Sequence, residues 1–404
     1  MSEIHSSPGY SRLIFDKNFD SFSEFLHLFN GGSLKFPDSE NKIIAKTPLS
    51  PPELIYAAGG LAYDPYTRET IIHSVMNENF DLVNNGVDTG LSPEYNPWNL
   101  IMAGSMASGA TKTTLSGAAI SCGNWDDQTK KTWQALSEKL GTPVYFWEIP
   151  RWDSDSEKWA IKFLKAELEQ LFQWLQYTTG VKVTSQSLSD AVINGNRIRQ
   201  QLQEIDELAC SPGRPLSALE YYMLHLASTD YFPNPRETHR IYDQIICELR
   251  QRVEKATSNT PDEPLRIFMM GDETQQFQLF KMIEDCGGQV VGADFRLALY
   301  YKLIPQDGSI LDNLAHWIWN MPTNMPTMER IRATIPFIQR QKADAVIINS
   351  TIGSRNLPGS ERIVRDIIKQ EMEIPVLSIE TSLPLQDNEK TEYLIRAFIE
   401  MNRY

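Results

Sequence analysis

Apolar residues recur near three- and four-residue intervals through the middle of the chain. Trp159, Phe163, Leu168, Leu171, Phe172 and Leu175 form one such series, and Ala191, Ile193 and Ile198 continue it. That period predicts long amphipathic helices over residues 156–208, ended by Pro212, Gly213 and Pro215. Residues 218–227 and 237–256 predict two more helices. Upstream, short apolar runs at 115–121 and 144–149 flank a polar, helix-compatible segment at 125–140. Strand, helix and strand at this spacing make a βαβ unit, which implies parallel pairing.

The alternation returns after a Ser-, Asn-, Thr-, Pro- and Asp-rich linker at 258–264. A buried-type strand at 265–270 ends in Gly271, a helix fits 275–284, and Gly287-Gly288 turns into a strand at 289–291. Strands at 345–349 and 376–379 enclose a helix at 360–371. Nearer the start, an amphipathic segment spans 22–29, and Pro51-Pro52 open a helix at Glu53 that Gly59-Gly60 terminate. The expected fold is α/β, with two Rossmann-like parallel-sheet domains and a helical segment between and around them. The expected division is a partly helical lead-in at 1–50, a first α/β domain at 51–155, a helical segment at 156–257 and a second α/β domain at 264–404. No repeat of fixed period is present.

Charge narrows the partners. A net charge of -14 would repel nucleic-acid phosphates, and Arg197 and Arg199 are soon followed by Glu204, Asp206 and Glu207. No apolar run approaches the roughly 20 residues that span a bilayer, so no membrane partner is expected. The opening residues lack the basic-then-apolar order of a secretory leader. The four cysteines, Cys122, Cys210, Cys247 and Cys286, contain no CxxC pair, which fits a reducing cytoplasm.

Cys122 is the strongest chemical candidate. It stands at the exit of an expected strand and before an expected helix, where open parallel sheets bind ligands and a helix dipole favours thiolate. Plain core packing is the competing reading. Asn124 follows in the same turn as a candidate substrate contact. Glu53 is a candidate catalytic carboxylate, or simply a charge complementing its helix dipole. Gly104, Ser105 and Gly109 could bring backbone close to a ligand. They do not form a nucleotide phosphate loop, because Lys112 arrives two positions after the place such a loop requires. Cys210, Cys247 and Cys286 lack neighbouring ligands and read as structural. The six histidines show no paired spacing, so a histidine metal site has no support.

Taken in order, these features resemble the 2-hydroxyacyl-CoA dehydratase and benzoyl-CoA reductase family. Pro51-Pro52-Glu53 leads to Ala57-Ala58-Gly59, and Cys122 precedes a strand running from Pro143-Val144 to Pro150. Asn196 and Arg199 follow in the helical middle. Gly271, Ile283-Glu284, Gly287 and Val290-Val291 match the next stretch, then Ala343 to Ile347, Ile374 to Glu380, and Arg396 to Glu400. The likeness covers about residues 50 to 404, each motif weak and their order specific.

The resemblance implies a heteromer with a homologous sister subunit, a [4Fe-4S] cluster in a cleft between two sheets, and an ATP-dependent activator that delivers one electron. It implies an acyl-CoA substrate converted through a ketyl radical by dehydration or ring reduction. Members hold the cluster by cysteines on three separated loops. Here only Cys122 matches. The loop at 88–96 has no cysteine, and Ser350, Thr351 and Ser354 place hydroxyls where the third thiolate belongs. The expectation is therefore a subunit whose sister carries the cluster. The alternatives are a cluster-bearing subunit with unusual ligands and a non-catalytic binding or scaffold homologue.

Overall fold

The computed structural model describes residues 19–29, 42–70, 81–110, 113–123, 127–211, 215–231, 234–255, 264–271, 277–294, 302–354, 360–383 and 388–403. Two four-stranded sheets carry the architecture, and every pairing in them is parallel. The first contains β1 (Ile43–Lys46), β2 (Leu61–Tyr63), β3 (Gly117–Cys122) and β4 (Val144–Glu148) in the order β2-β1-β3-β4. The second contains β5 (Leu265–Gly271), β6 (Gly288–Ala293), β7 (Ala345–Thr351) and β8 (Val376–Thr381) in the order β6-β5-β7-β8. The two orders are the same pattern shifted by four strands. In each, the chain first steps to one side and then crosses to the other, so the order reverses between β1 and β3 and between β5 and β7. Ligands of open parallel sheets sit beyond the carboxyl ends at such reversals.

Helices α1 (Asp20–Phe29), α2 (Glu53–Ala57), α3 (Pro65–Glu69), α4 (Asp81–Val87), α5 (Pro97–Ser108) and α6 (Thr129–Leu140) accompany the first sheet in sequence. Then come α7 (Glu157–Thr179), α8 (Ser185–Ala209), α9 (Ala218–Ala227) and α10 (Pro235–Lys255). The second sheet is interleaved with α11 (Phe277–Asp285), α12 (Ile310–Trp319), α13 (Thr327–Arg340), α14 (Glu361–Met372) and α15 (Asn388–Asn402). The α/β class and the two parallel sheets agree with the sequence reading. Among the described residues, no helix is long and apolar enough to cross a membrane.

Strand alternation divides the core. Ile44 and Ala119 turn one way, into a cluster that continues through α7–α10 to both faces of the second sheet. Ala45, Ala118, Ile120 and Cys122 turn the other way, against Trp98, Met102 and Trp133 of α5 and α6. Helix boundaries follow local chemistry. Thr184 and Ser187 form a reciprocal capping box at the start of α8, as do Ser217 and Glu220 at α9. Helices α4 and α5 approach backbone to backbone, because a Cβ on Gly104 would stand 2.0 Å from the Leu82 carbonyl oxygen. β1 lies inside the stretch expected as a lead-in, yet it is a central strand of the first sheet.

Candidate functional site

The carboxyl end of the first sheet is unusually charged for a buried place. Lys46 ends β1, Asp64 follows β2, and Glu53, Arg68, Arg199 and Asp230 join them, each 2% exposed or less. Three cations thus meet three carboxylates out of contact with water. Burial of a charge is tolerated when it is paired and hydrogen-bonded. Arg68 grips Asp230 with two bonds, Nε to Oδ2 at 2.6 Å and Nη2 to Oδ1 at 2.7 Å, and Asp64 N donates to the same carboxylate at 3.0 Å. Lys46 Nζ donates to the carbonyls of Thr229 at 2.7 Å and Pro48 at 3.2 Å. Burial lowers the Lys46 pKa, opposed by Asp64, Asp230 and Glu53, and burial raises that of Asp64, opposed by Lys46.

Glu53 begins α2. Its Oε1 takes an ion pair from Arg199 Nη1 at 2.6 Å and a hydrogen bond from the Tyr231 hydroxyl at 2.9 Å. Its Oε2 is buried with no hydrogen-bond partner among the described residues. The carboxylate fits only because Gly195 faces it from α8, since a Cβ there would fall 1.9 Å from Oε1. The Arg199 guanidinium also lies 4.8 Å from the ring centre of Trp317, and Asn196 exchanges two hydrogen bonds with the Ile304 backbone. Tyr231 itself adopts φ 55°, uncommon for a bulky residue.

Toward the second sheet, Cys122 ends β3 at 7% exposure within the α5–α6 core. Gly123 then turns at φ 98°, where a Cβ would stand 2.3 Å from the Ile149 carbonyl oxygen. Gly271 repeats the device at β5, at φ 92° and 2.3 Å from the Asn349 carbonyl. Only glycine accepts that combination of positive φ and close backbone. The tip of β7 meets the 88–96 loop, with the Gly353 Cβ position 3.0 Å from Tyr95 O and 3.4 Å from Pro97 Cδ. Leu383, just past β8, packs on the cluster that holds Cys122, Leu91 and Tyr95. The three loops that the resemblance assigns to a cluster thus lie around one region.

Their donors do not suit a cluster. Cys122 is the only cysteine there. Cys210 caps the end of α8 and contacts Gln341, Cys247 is exposed on α10, and Cys286 is buried after α11. Ser350 Oγ is engaged with Glu361 Oε1 at 2.5 Å and Thr381 Oγ1 with Asn349 Oδ1 at 2.9 Å. Among the described residues, no three His, Cys, Asp or Glu side chains are grouped to hold a metal ion. A cubane needs several thiolates, so this set does not fit one.

The other candidates are placed as follows. Gly104 and Ser105 lie inside α5, both buried. Gly104 serves the α4–α5 contact, and Ser105 donates to Glu69 Oε2 at 2.5 Å. Gly109 is the left-handed cap of the same helix. The segment read as a glycine-rich approach is thus helical, started by Asn96 as cap and Pro97 in its first turn. Asn124 lies outside the described residues. Lys46, Asp64, Arg68, Asp230 and Tyr231 were not singled out by sequence. Asp64 alone carried a local signal, as the cap before Pro65 whose Oδ1 accepts from Thr67 N at 3.3 Å.

The family description "2-hydroxyglutaryl-CoA dehydratase, D-component" matches residues 49–402. The (R)-phenyllactyl-CoA dehydratase beta subunit of Clostridium sporogenes is 24% identical over 248 residues. That alignment covers 59% of this chain and 63% of that subunit, so the chain spans somewhat less than two thirds of it. The putative dehydratase subunit YjiM of Escherichia coli (strain K12) is 21% identical over 279 residues, covering 68% of this chain and 72% of that protein.

Proposed function

This chain belongs to the 2-hydroxyglutaryl-CoA dehydratase D-component family, and from that premise we propose that it is one subunit of a heteromeric acyl-CoA dehydratase or benzoyl-CoA-reductase-like enzyme. Its substrate is a CoA thioester of the 2-hydroxyacyl kind, like that in the name of the Clostridium relative. The one-electron chemistry belongs to a [4Fe-4S] cluster on a homologous sister subunit, supplied by an ATP-dependent activator in the cytoplasm. The observation that supports this reading is the contact of the β7 tip with the 88–96 loop, whose Leu91 and Tyr95 pack in the same cluster as Cys122 at the end of β3. The architecture of a cluster cleft is retained while its ligands are not.

Within that reading this chain handles the proton. Loss of water from a 2-hydroxyacyl thioester removes hydroxide from one carbon and a proton from the next. Glu53 is the proposed acceptor, because Arg199 and Tyr231 hold Oε1 and leave Oε2 without a partner among the described residues. The test is anaerobic turnover of 2-hydroxyacyl-CoA by the chain co-purified with its sister and activator. Glu53→Gln should lower kcat by about a hundredfold or more, the scale of a lost general base. An unchanged kcat would remove Glu53 from the mechanism, and no water loss by the wild-type complex would overturn the enzymatic reading.

A further inference from the structure

β8 is the outer strand of the second sheet, and among the described residues no strand pairs with its far side. Val346 N donates to the Pro375 carbonyl and Ile352 N to the Thr381 carbonyl, so the odd-numbered positions bond inward to β7. The even-numbered positions, Val376, Ser378 and Glu380, therefore turn both N–H and C=O to the open side. Ser378 and Glu380 are exposed and Val376 is half-buried. An open edge of this kind is a template for another strand, and proteins commonly blunt it with lysine, proline or a covering helix. Here the outward positions hold one charge, Glu380.

α15 lies beside that edge. It packs on β8 and also touches α11, which itself packs on β6. Ile395 and Ile399, both fully buried, form the line that α15 presents to the core. At about 100° per residue, two stripes flank that line. Glu392, Arg396, Glu400 and Arg403 make one of them, and Leu394, Ala397, Phe398 and Met401 make the other. The charged stripe faces the end of α11. Arg403 Nη1 comes 3.2 Å from the Cβ position of Gly287. Burial raises the Cys286 thiol, and Arg396, Glu392 and Glu400 of this stripe are among the charges that act on it. The apolar stripe consequently turns the other way, toward the free edge of β8. Phe398 packs against the core, while Leu394 is 36% exposed, Met401 82% and the neighbouring Tyr393 70%. A contiguous exposed apolar stripe of this kind marks a contact surface.

Charge narrows what can approach. The net charge of -14 makes two copies repel one another over most of their surface. The apolar stripe contains no acid, and the residue one turn before it is Lys390. The strand suits a copy as well. A two-fold axis perpendicular to the sheet sets two β8 edges antiparallel, an isologous contact. With the axis at Ser378, Glu380 stands opposite Val376 of the copy, so no like charges face each other. The same axis keeps both α15 helices on one face, where their apolar stripes meet.

We infer that the β8 edge and the apolar stripe of α15 bind a second copy of this chain, β8 against β8 and α15 against α15, in a symmetric dimer. The contact joins the second sheets of the two copies into one and is independent of the chemistry proposed above. Light scattering on the full-length chain over a concentration series tests it, with Met401→Glu, Ser378→Pro and, as a control on α7, Tyr177→Glu. Wild type should show the mass of two chains. Met401→Glu places an acid on each stripe and Ser378→Pro removes an outward N–H, and each should raise the dissociation constant by about tenfold or more. Tyr177→Glu, at a side chain 89% exposed, should leave it unchanged. Matched unfolding midpoints show that each variant folds, and if Ser378→Pro fails that check, Met401→Glu carries the test. A single-chain mass for wild type throughout the micromolar range, or a dimer that all three variants retain, would overturn the dimer. Addition of the sister subunit separates the other occupant. A contact formed only with the sister, and lost in Met401→Glu, would assign this edge to the sister and overturn the second copy.

Discussion

Gly195→Ala sets two known effects against each other at the buried carboxylate. Gly195 is in the interior of α8, where alanine favours the helix by about 1 kcal/mol. The new methyl, however, would stand 1.9 Å from Glu53 Oε1, 2.7 Å from its Cδ and 2.8 Å from Arg199 Nη1. None of these can retreat freely, because Oε1 accepts from both Arg199 and Tyr231 and all three groups are buried. Relieving the clash means separating the ion pair, a loss of about 3–5 kcal/mol when one partner is stranded in the interior. The clash wins, and the net change is destabilisation by about 2–4 kcal/mol. Urea denaturation of wild type and variant reads it as a shift in midpoint. In a Glu53→Ala background the methyl meets no carboxylate, so Gly195→Ala should cost at least about 2 kcal/mol less than in wild type. Stabilisation by Gly195→Ala in the wild-type background, or strict additivity in the cycle, would refute the packing described for Glu53.

Asp230→Ala should destabilise the chain by about 3–5 kcal/mol, while Arg68→Met combined with Asp230→Leu should come within about 1 kcal/mol of wild type, because only the single variant leaves a buried charge unpaired; denaturant midpoints of the three proteins check this. Thiol labelling at pH 8 of the native chain, followed by mass spectrometry, should modify exposed Cys247 first. Cys210, pushed up to about 11 by burial, and Cys286, raised for the same reason, should lag behind it. For His239 the folded value lies below the ordinary one, so its neutral form contributes stability that is present above about pH 6.5 and is lost as pH falls toward 4. His239→Gln should flatten that part of the stability profile, and an unchanged slope between pH 6.5 and 4 would count against the burial of its imidazole.

Periodicity made most helices legible. The expected helix at 218–227 coincides with α9, and the two long helices of the middle follow their apolar spacing. The strands that were missed are the shortest, β1 at four residues and β2 at three, too brief for any alternation to register. α5 was hidden by its composition. It is apolar nearly all round and carries Gly104, so its cap at Asn96 and Pro97 was the better signal. Cys122 and Glu53 could be singled out because each adjoins a local boundary. Their surroundings could not, since Arg68 reaches Asp230 across 162 positions and Lys46 reaches Thr229 across 183. A buried charge network is made of tertiary contacts and leaves no spacing to read.

The central claim is that the loops of a cluster cleft persist here without a cluster of their own. Iron and acid-labile sulfide, measured on the anaerobically purified chain and on its complex with the sister subunit, test it most directly. The account predicts iron in the complex and none in stoichiometric amount on the chain by itself, with Cys122→Ser changing neither result. About four irons and four sulfides on the isolated chain, lost on Cys122→Ser, would contradict it.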